Sequence, residues 1–173
     1  TKAVFDNALT KGTADSVSIT LAGGSSINLT IGGVTAANEF ETYNVSSTGT
    51  SANGIIDILA SDGTALVGTG ASIVITGDAD TTLGTAAAPI DMGTSATVDA
   101  SAATGKITVN LDDLMQTVTL GSGDDTVDAT TSQLEGDDTN KHNLDGGAGT
   151  DTLIIDAQFD TDSLDNNTAG TTA

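Results

Sequence analysis

The chain has 173 residues, of which 24 are acidic and only four are Lys or Arg, giving a formal net charge of −20. It has no cysteine, which excludes disulfides and thiolate metal sites. Such a charge disfavours contact with nucleic acid and anionic membranes and attracts divalent cations. The charge is uneven, because residues 1–86 hold eight acids and two lysines whereas residues 87–173 hold sixteen acids and two lysines. The second half is therefore the more promising place for a cation site.

Short alternations of polar and apolar residues run along the chain and predict β-strands. Helical periodicity is weak, and only residues 36–39 and 112–115 could hold a helical turn. The sequence therefore predicts an all-β protein, with a core built from Val, Ile, Leu and Ala because aromatics make up only 2% of the residues. The predicted strands cover residues 16–21, 26–31, 40–46, 55–59, 71–76, 97–100, 107–111, 117–120 and 152–156.

Residues 146–154 read GGAGTDTLI and match the nine-residue calcium-binding repeat G-G-x-G-x-D-x-U-x, in which U is a large aliphatic residue. The glycines permit a tight turn in which backbone carbonyls point at one spot. Asp151 adds an anionic oxygen, and Ca²⁺ takes six to eight oxygen ligands. The last three residues are expected to form a short strand with Leu153 pointing inward. The segment thus predicts a calcium-binding turn of a parallel β-roll.

A second copy of the repeat, LGSGDDTVD, lies at residues 120–128 and has Leu120 in place of the first glycine. Asp151 follows Asp125 by 26 residues, one short of three nine-residue rungs, which suggests stacked turns separated by one irregular, acid-rich rung. We therefore predict calcium as the bound metal, with carboxylates and backbone carbonyls as ligands. The predicted metal-site residues are Gly121, Gly123, Asp124, Asp125, Asp128, Asp138, Asp145, Gly147, Gly149 and Asp151.

Acidic residues outside the repeats leave alternatives open. Asp78 and Asp80 lie in a Gly-Asp-x-Asp turn that could form a separate, weaker calcium site. Asp15 and Asp99 could be either ligands or turn caps. None of these positions matches the calcium repeat.

The acid content rises after residue 86, and this shift suggests a division of the chain. We predict a strand-rich β unit over residues 1–86, a calcium-binding β-roll over 87–165 and a linker into further sequence over 166–173. A single continuous solenoid is the alternative. The chain starts without Met and has no visible signal peptide, so we expect it to be part of a longer protein.

Several phrases occur in an order that is similar to a known family: GTADSVSITL (12–21), FETYNV (40–45), VDASAATGKITV (98–109), TLGSGDDTV (119–127) and residues 145–153. Together they resemble bacterial surface-layer (S-layer) proteins of the Caulobacter type and related large RTX adhesins. The resemblance implies export by type I secretion, calcium-dependent folding outside the cell and self-assembly into a lattice at the cell surface. It also implies attachment to outer-membrane polysaccharide through other domains, without insertion into the membrane.

Catalytic patterns are missing from the sequence, so we predict that the chain is not an enzyme. His142 is the only histidine, which rules out an H-E-x-x-H zinc site, and no G-x-S-x-G sequence is present. The paired acids Asp112 and Asp113 could serve a glycosidase, but few aromatics exist to line a sugar cleft. The favoured function is a structural S-layer module. The alternatives are a stalk or ligand-binding module of an adhesin and the RTX secretion region of an exported enzyme.

Overall fold

A computed structural model describes residues 2–4, 14–24, 26–32, 40–60, 70–111, 116–129 and 143–155. Within these ranges the chain forms 13 strands and no helix, which confirms the all-β prediction. The possible helical turns at 36–39 and 112–115 lie outside the described residues. The strands are β1 (Lys2–Val4), β2 (Ser16–Ala22), β3 (Ser26–Gly32), β4 (Thr42–Thr48), β5 (Asn53–Ala60), β6 (Ser72–Gly77), β7 (Thr81–Leu83), β8 (Ala96–Ala103), β9 (Ile107–Asn110), β10 (Gln116–Thr119), β11 (Thr126–Asp128), β12 (Asn143–Asp145) and β13 (Thr152–Ile154).

The strands form two parallel sheets, and the chain alternates between them. One sheet has the order β1-β3-β5-β7-β9-β11-β13, and the other has the order β12-β10-β8-β6-β4-β2. Each even strand and the odd strand after it make one coil, and every coil pairs with the coils before and after it. The predicted parallel β-solenoid is therefore confirmed, with each coil stabilised by its nearest neighbours.

The register of the strands gives the length of each coil. Val127 on β11 pairs with Leu153 on β13, so Asp125 and Asp151, 26 residues apart, occupy equivalent positions in adjacent coils. The interpretation of this interval as nearly three nine-residue rungs is therefore wrong, because it is a single coil with a long connection. By contrast, Ile107 and Asp125 are only 18 residues apart in adjacent coils, as two nine-residue units would give.

Aliphatic side chains stack in columns between the two sheets and make the core. One column on the odd-numbered strands runs through Ile55, Leu83, Val109 and Val127, which are paired in register and buried. Burial of a side chain of this size stabilises a fold by roughly 1.5–3 kcal/mol. The alternation detected in the sequence arises from this arrangement, because inward and outward positions alternate along each strand.

Leu153 continues the Val127 column but lies in the last strand of its sheet among the described residues. It is 47% exposed, in contrast to the burial expected from the repeat pattern, and Ile154 and Ile155 are also exposed. Among the described residues, only the preceding coil packs against β13. This end of the described solenoid thus presents an apolar surface.

Strand pairing continues across residue 86, where a division was predicted. β6 pairs with β8, and β7 pairs with β9. The division into a β unit of residues 1–86 and a calcium-binding β-roll of residues 87–165 stays a prediction, and residues 166–173 lie outside the described residues. In the described part of the chain, no helix is long and apolar enough to cross a membrane.

Candidate functional site

Tight turns connect the two strands of each coil, and these turns stack along one side of the solenoid. Backbone hydrogen bonds join each turn to the one before it. The Ala148 N–H donates to the Gly121 carbonyl (2.8 Å), and the Ser122 N–H donates to the Ala103 carbonyl (3.2 Å). Backbone carbonyls therefore follow one another along this side, in the region where the two sequence repeats lie.

The glycines at two repeat positions are required by the close stacking of these turns. A Cβ at Gly121 would overlap the Ala103 carbonyl oxygen, and one at Gly147 would overlap the Gly121 carbonyl oxygen. Gly147 also has a φ of +77°, a conformation that other residues rarely adopt. The repeat glycines therefore allow turns of adjacent coils to approach until their backbones touch.

Asp125 lies at the centre of this stack and is 0% exposed. Its Oδ1 accepts a hydrogen bond from the Ile107 N–H of the preceding coil (2.7 Å), and its Oδ2 accepts one from the Gly121 N–H of its own turn (3.2 Å). The Asp125 N–H in turn donates to Asp151 Oδ1 in the following coil (3.0 Å). The structure thus brings the two repeat aspartates to matching positions one coil apart.

The surroundings of Asp125 disfavour its charged form. Burial raises the pKa of its carboxyl group, and the negative charges of Asp151 and Asp124 raise it further. The hydrogen bonds from the Ile107 and Gly121 N–H groups lower the pKa and offset part of this effect. A cation placed beside this carboxylate would relieve both the desolvation and the repulsion.

Other predicted site residues lie in the same two turns. Asp124 is exposed, and its Oδ1 accepts a hydrogen bond from the Thr150 N–H (2.9 Å). Asp145 is also exposed and accepts one from the Gly147 N–H (3.0 Å). Gly149 packs on the backbone of Gly123 in the preceding turn. The structure therefore groups these residues around Asp125 and Asp151.

One predicted ligand lies away from this group, a second falls outside the described residues, and one repeat position is explained by packing. Asp128 is the last residue of β11, at the strand end opposite to the turn, so the structure does not place it with the other ligands. Asp138 lies outside the described residues. Leu120, which replaces the first repeat glycine, is buried in the hydrophobic core. The departure from the repeat at this position therefore adds core packing.

The remaining acidic candidates form local contacts. Asp80 Oδ1 accepts a hydrogen bond from the Lys106 N–H (2.9 Å) and, like Asp78, is exposed. Asp99 accepts hydrogen bonds from the hydroxyl and N–H groups of Ser101, and the hydroxyl bond is the main reason that the Asp99 pKa is lowered. These bonds lie within β8, and the roles of ligand and turn cap both stay predictions for Asp99. Asp15 donates its N–H to Glu41 Oε2 (2.6 Å).

The donors available at the stacked turns are hard oxygens. Among the described residues, no group of three or more His, Cys, Asp or Glu side chains is arranged to hold a metal ion. A cation at these turns would therefore combine the carboxylates of Asp125 and Asp151 with backbone carbonyls, the type of ligand set that Ca²⁺ accepts. The buried carboxylate of Asp125 fits such an ion. The positive charge of the ion would offset the repulsion between Asp125 and its acidic neighbours, Asp124 and Asp151.

Sequence reasoning missed Asn53, which occupies the position of the repeat aspartates in an earlier coil. Asn53 pairs with Thr81 and Thr81 pairs with Ile107, the residue opposite Asp125. Asn53 is 3% exposed and makes several hydrogen bonds within the turns. Its turn lacks the glycine and aspartate pattern of the repeat, so only the strand register reveals the equivalence.

Comparison with other proteins identifies no relative of this chain. No protein-family model, curated protein or solved structure gives a significant match to the chain. The functional argument therefore rests on the repeats and on the geometry of the turns.

Proposed function

We propose that this chain is a structural module of a bacterial S-layer, in which Ca²⁺ binds between the turns of the two sequence repeats and permits self-assembly. The observation that carries the proposal is the buried carboxylate of Asp125, which lies one coil from Asp151 with acidic neighbours. The proposed role is non-enzymatic. The cation stabilises the packing of one coil on the next.

Calcium binding would couple to folding of the last described coils. The ion would neutralise the two repeat aspartates, and its binding free energy would then contribute to folding free energy. An affinity typical of extracellular calcium modules, with Kd on the order of 10⁻⁴ to 10⁻³ M, would leave these coils unfolded in the cytosol. The chain could then be exported by type I secretion and fold at the cell surface.

Self-assembly is supported by the surfaces that the solenoid exposes. Its last described coil presents Leu153, Ile154 and Ile155, each more than 40% exposed. Exposed apolar side chains and strand edges favour pairing with further strands. At a net charge of −20, repulsion between copies opposes this contact until calcium screens and bridges carboxylates. The proposed partner is therefore another copy, with polysaccharide contacts left to other domains.

Assembly of the full-length parent protein across a calcium series tests the proposal. Light scattering and electron microscopy are expected to show ordered arrays or fibres at millimolar calcium, and chelator should disperse them. Mg²⁺ at the same concentration is the control, because it demands octahedral geometry and loses its water reluctantly. Assembly should be much weaker with Mg²⁺ if calcium-specific turns are required.

A folded parent protein that stays monomeric at millimolar calcium would contradict the lattice proposal. The stalk or ligand-binding module of a large RTX adhesin would then be the better description. Both functions use the calcium-stabilised solenoid, and assembly separates them because a stalk acts as a single chain.

A further inference from the structure

Asn53 shares one contact with the repeat aspartates and differs from them in another. Its Oδ1 accepts a hydrogen bond from the Gly24 N–H in the preceding coil (3.1 Å). Asp125 and Asp151 also use Oδ1 to accept an N–H from the coil before, although their donors are at the aligned position and Gly24 is one position earlier in register. The first side-chain oxygen at this position therefore has a common role in all three turns.

The second side-chain atom is a hydrogen-bond donor in Asn53 and an acceptor in the aspartates. Asn53 Nδ2 lies among three oxygens near the ends of β2 and β4: Ser47 Oγ (3.0 Å), the Thr48 carbonyl (3.4 Å) and the Leu21 carbonyl (3.5 Å). Such a group of inward-facing oxygens requires either donors or a positive charge to be stable when buried. At Asn53 the side-chain amide supplies the donors.

Hydroxyl groups extend this arrangement into the next turn. Ser47 Oγ accepts from Asn53 and donates to the Ala79 carbonyl (3.4 Å), which also accepts from Thr81 Oγ1 (3.0 Å). Thr81 holds the position of the repeat aspartate in its own coil. The turns before β5 and β7 are thus joined by neutral donors, whereas the turn before β11 contains a buried carboxylate.

We propose that the Asn53 side-chain amide takes the place of a cation, so that the coils of β2 to β7 stack without metal and support the calcium-dependent coils that follow. This inference rests on the proposed function, in which a cation binds at the equivalent position of the later coils. The solenoid would then have two kinds of turn at one structural position. Because each coil packs on its neighbour, a metal-free segment gives the later coils a preformed surface on which to fold.

Hydrogen exchange of the 173-residue chain in chelator, resolved by strand, tests this inference. We expect the amides of β4 and β5 to be protected in the wild type. Asn53→Ala should reduce that protection roughly tenfold or more, because buried oxygens lose their donors. Asn53→Asp should reduce it similarly in chelator, and calcium should restore it in Asn53→Asp but not in Asn53→Ala.

Asn44→Asp is the matched control, since it makes the same chemical change on the partly exposed outer side of β4 and should leave exchange unchanged. Unprotected β4 and β5 in wild-type protein without calcium would overturn the inference. So would full protection of Asn53→Asp in chelator. Failure of the proposed function appears elsewhere, as protection of β10 to β13 in chelator, and the two results can therefore be distinguished.

Discussion

Removing calcium is expected to unfold β10 to β13. These strands are only three or four residues long, and their turns enclose the carboxylate of Asp125 beside two other negative charges. Residues 87–173 contain sixteen acids and two lysines, so repulsion opposes compaction of this half when no cation is bound. Residues 16–83, which span β2 to β7, contain only six acids, of which Asp57 is partly buried, and we expect their core to remain folded.

Circular dichroism in EDTA and in millimolar calcium measures this effect. The β signal should fall in chelator and return on addition of calcium, with a midpoint on the order of 10⁻⁴ to 10⁻³ M. Added NaCl at matched ionic strength is the control, because it screens charge without binding at the turns. An identical β spectrum in chelator and in calcium would show that these coils need no cation.

Asp151→Asn is expected to weaken calcium binding strongly while preserving the hydrogen bond to its neighbour. The amide oxygen can still accept from the Asp125 N–H, as Asn53 does from Gly24, but the anionic ligand is lost. Loss of a direct ligand should raise Kd by about tenfold or more, since even changes in outer-shell partners cost about 10- to 100-fold. Calorimetric calcium titration of the variant and the wild type gives the ratio directly.

Asp124→Asn is the matched control for this substitution. Asp124 precedes the other repeat aspartate, is exposed, and accepts the Thr150 N–H through an atom that asparagine also provides. We expect its Kd to stay within a few-fold of the wild type, because the repeat leaves the position of Asp124 free and fixes only the aspartate that follows it. Equal losses in the two variants would mean that the charge of the whole turn, rather than a specific ligand position, attracts calcium.

The amino-acid sequence predicts most of the long strands because their inward and outward residues alternate. The alternation of polar and apolar residues over 16–21 and 26–31 predicts two strands. Their bounds agree with those of β2 and β3 to within one residue at each end. The short strands β1, β7, β11 and β12 are absent from the predicted strands, since three residues are too few for a period of two to be detected. Their conformation is set by pairing with neighbouring coils.

Coil length could not be predicted, for a related physical reason. The connections from each odd strand to the next even strand differ in length, so equivalent positions are 18 residues apart in one coil and 26 in another. No constant period exists to guide alignment of the coils. The 26-residue interval therefore suggested intermediate rungs, whereas strand pairing makes it a single coil.

The candidate site was predicted where local sequence determines the turn. The glycines and aspartates of the repeats lie together because the tight turn is encoded within nine residues. Asp128 resembles them chemically but lies at the far end of β11, and Asn53 shares their position without sharing their sequence. Both differences depend on the stacking of the coils, which the residues of one turn cannot specify.

A crystal structure of the chain grown with calcium, with anomalous diffraction collected to locate the ion, tests the central claim most directly. We predict an anomalous peak between the turns that follow β10 and β12, coordinated by carboxylate oxygens of Asp125 and Asp151 and by backbone carbonyls. A structure in which these two turns stack as described at millimolar calcium, with no ion between them, would contradict the account.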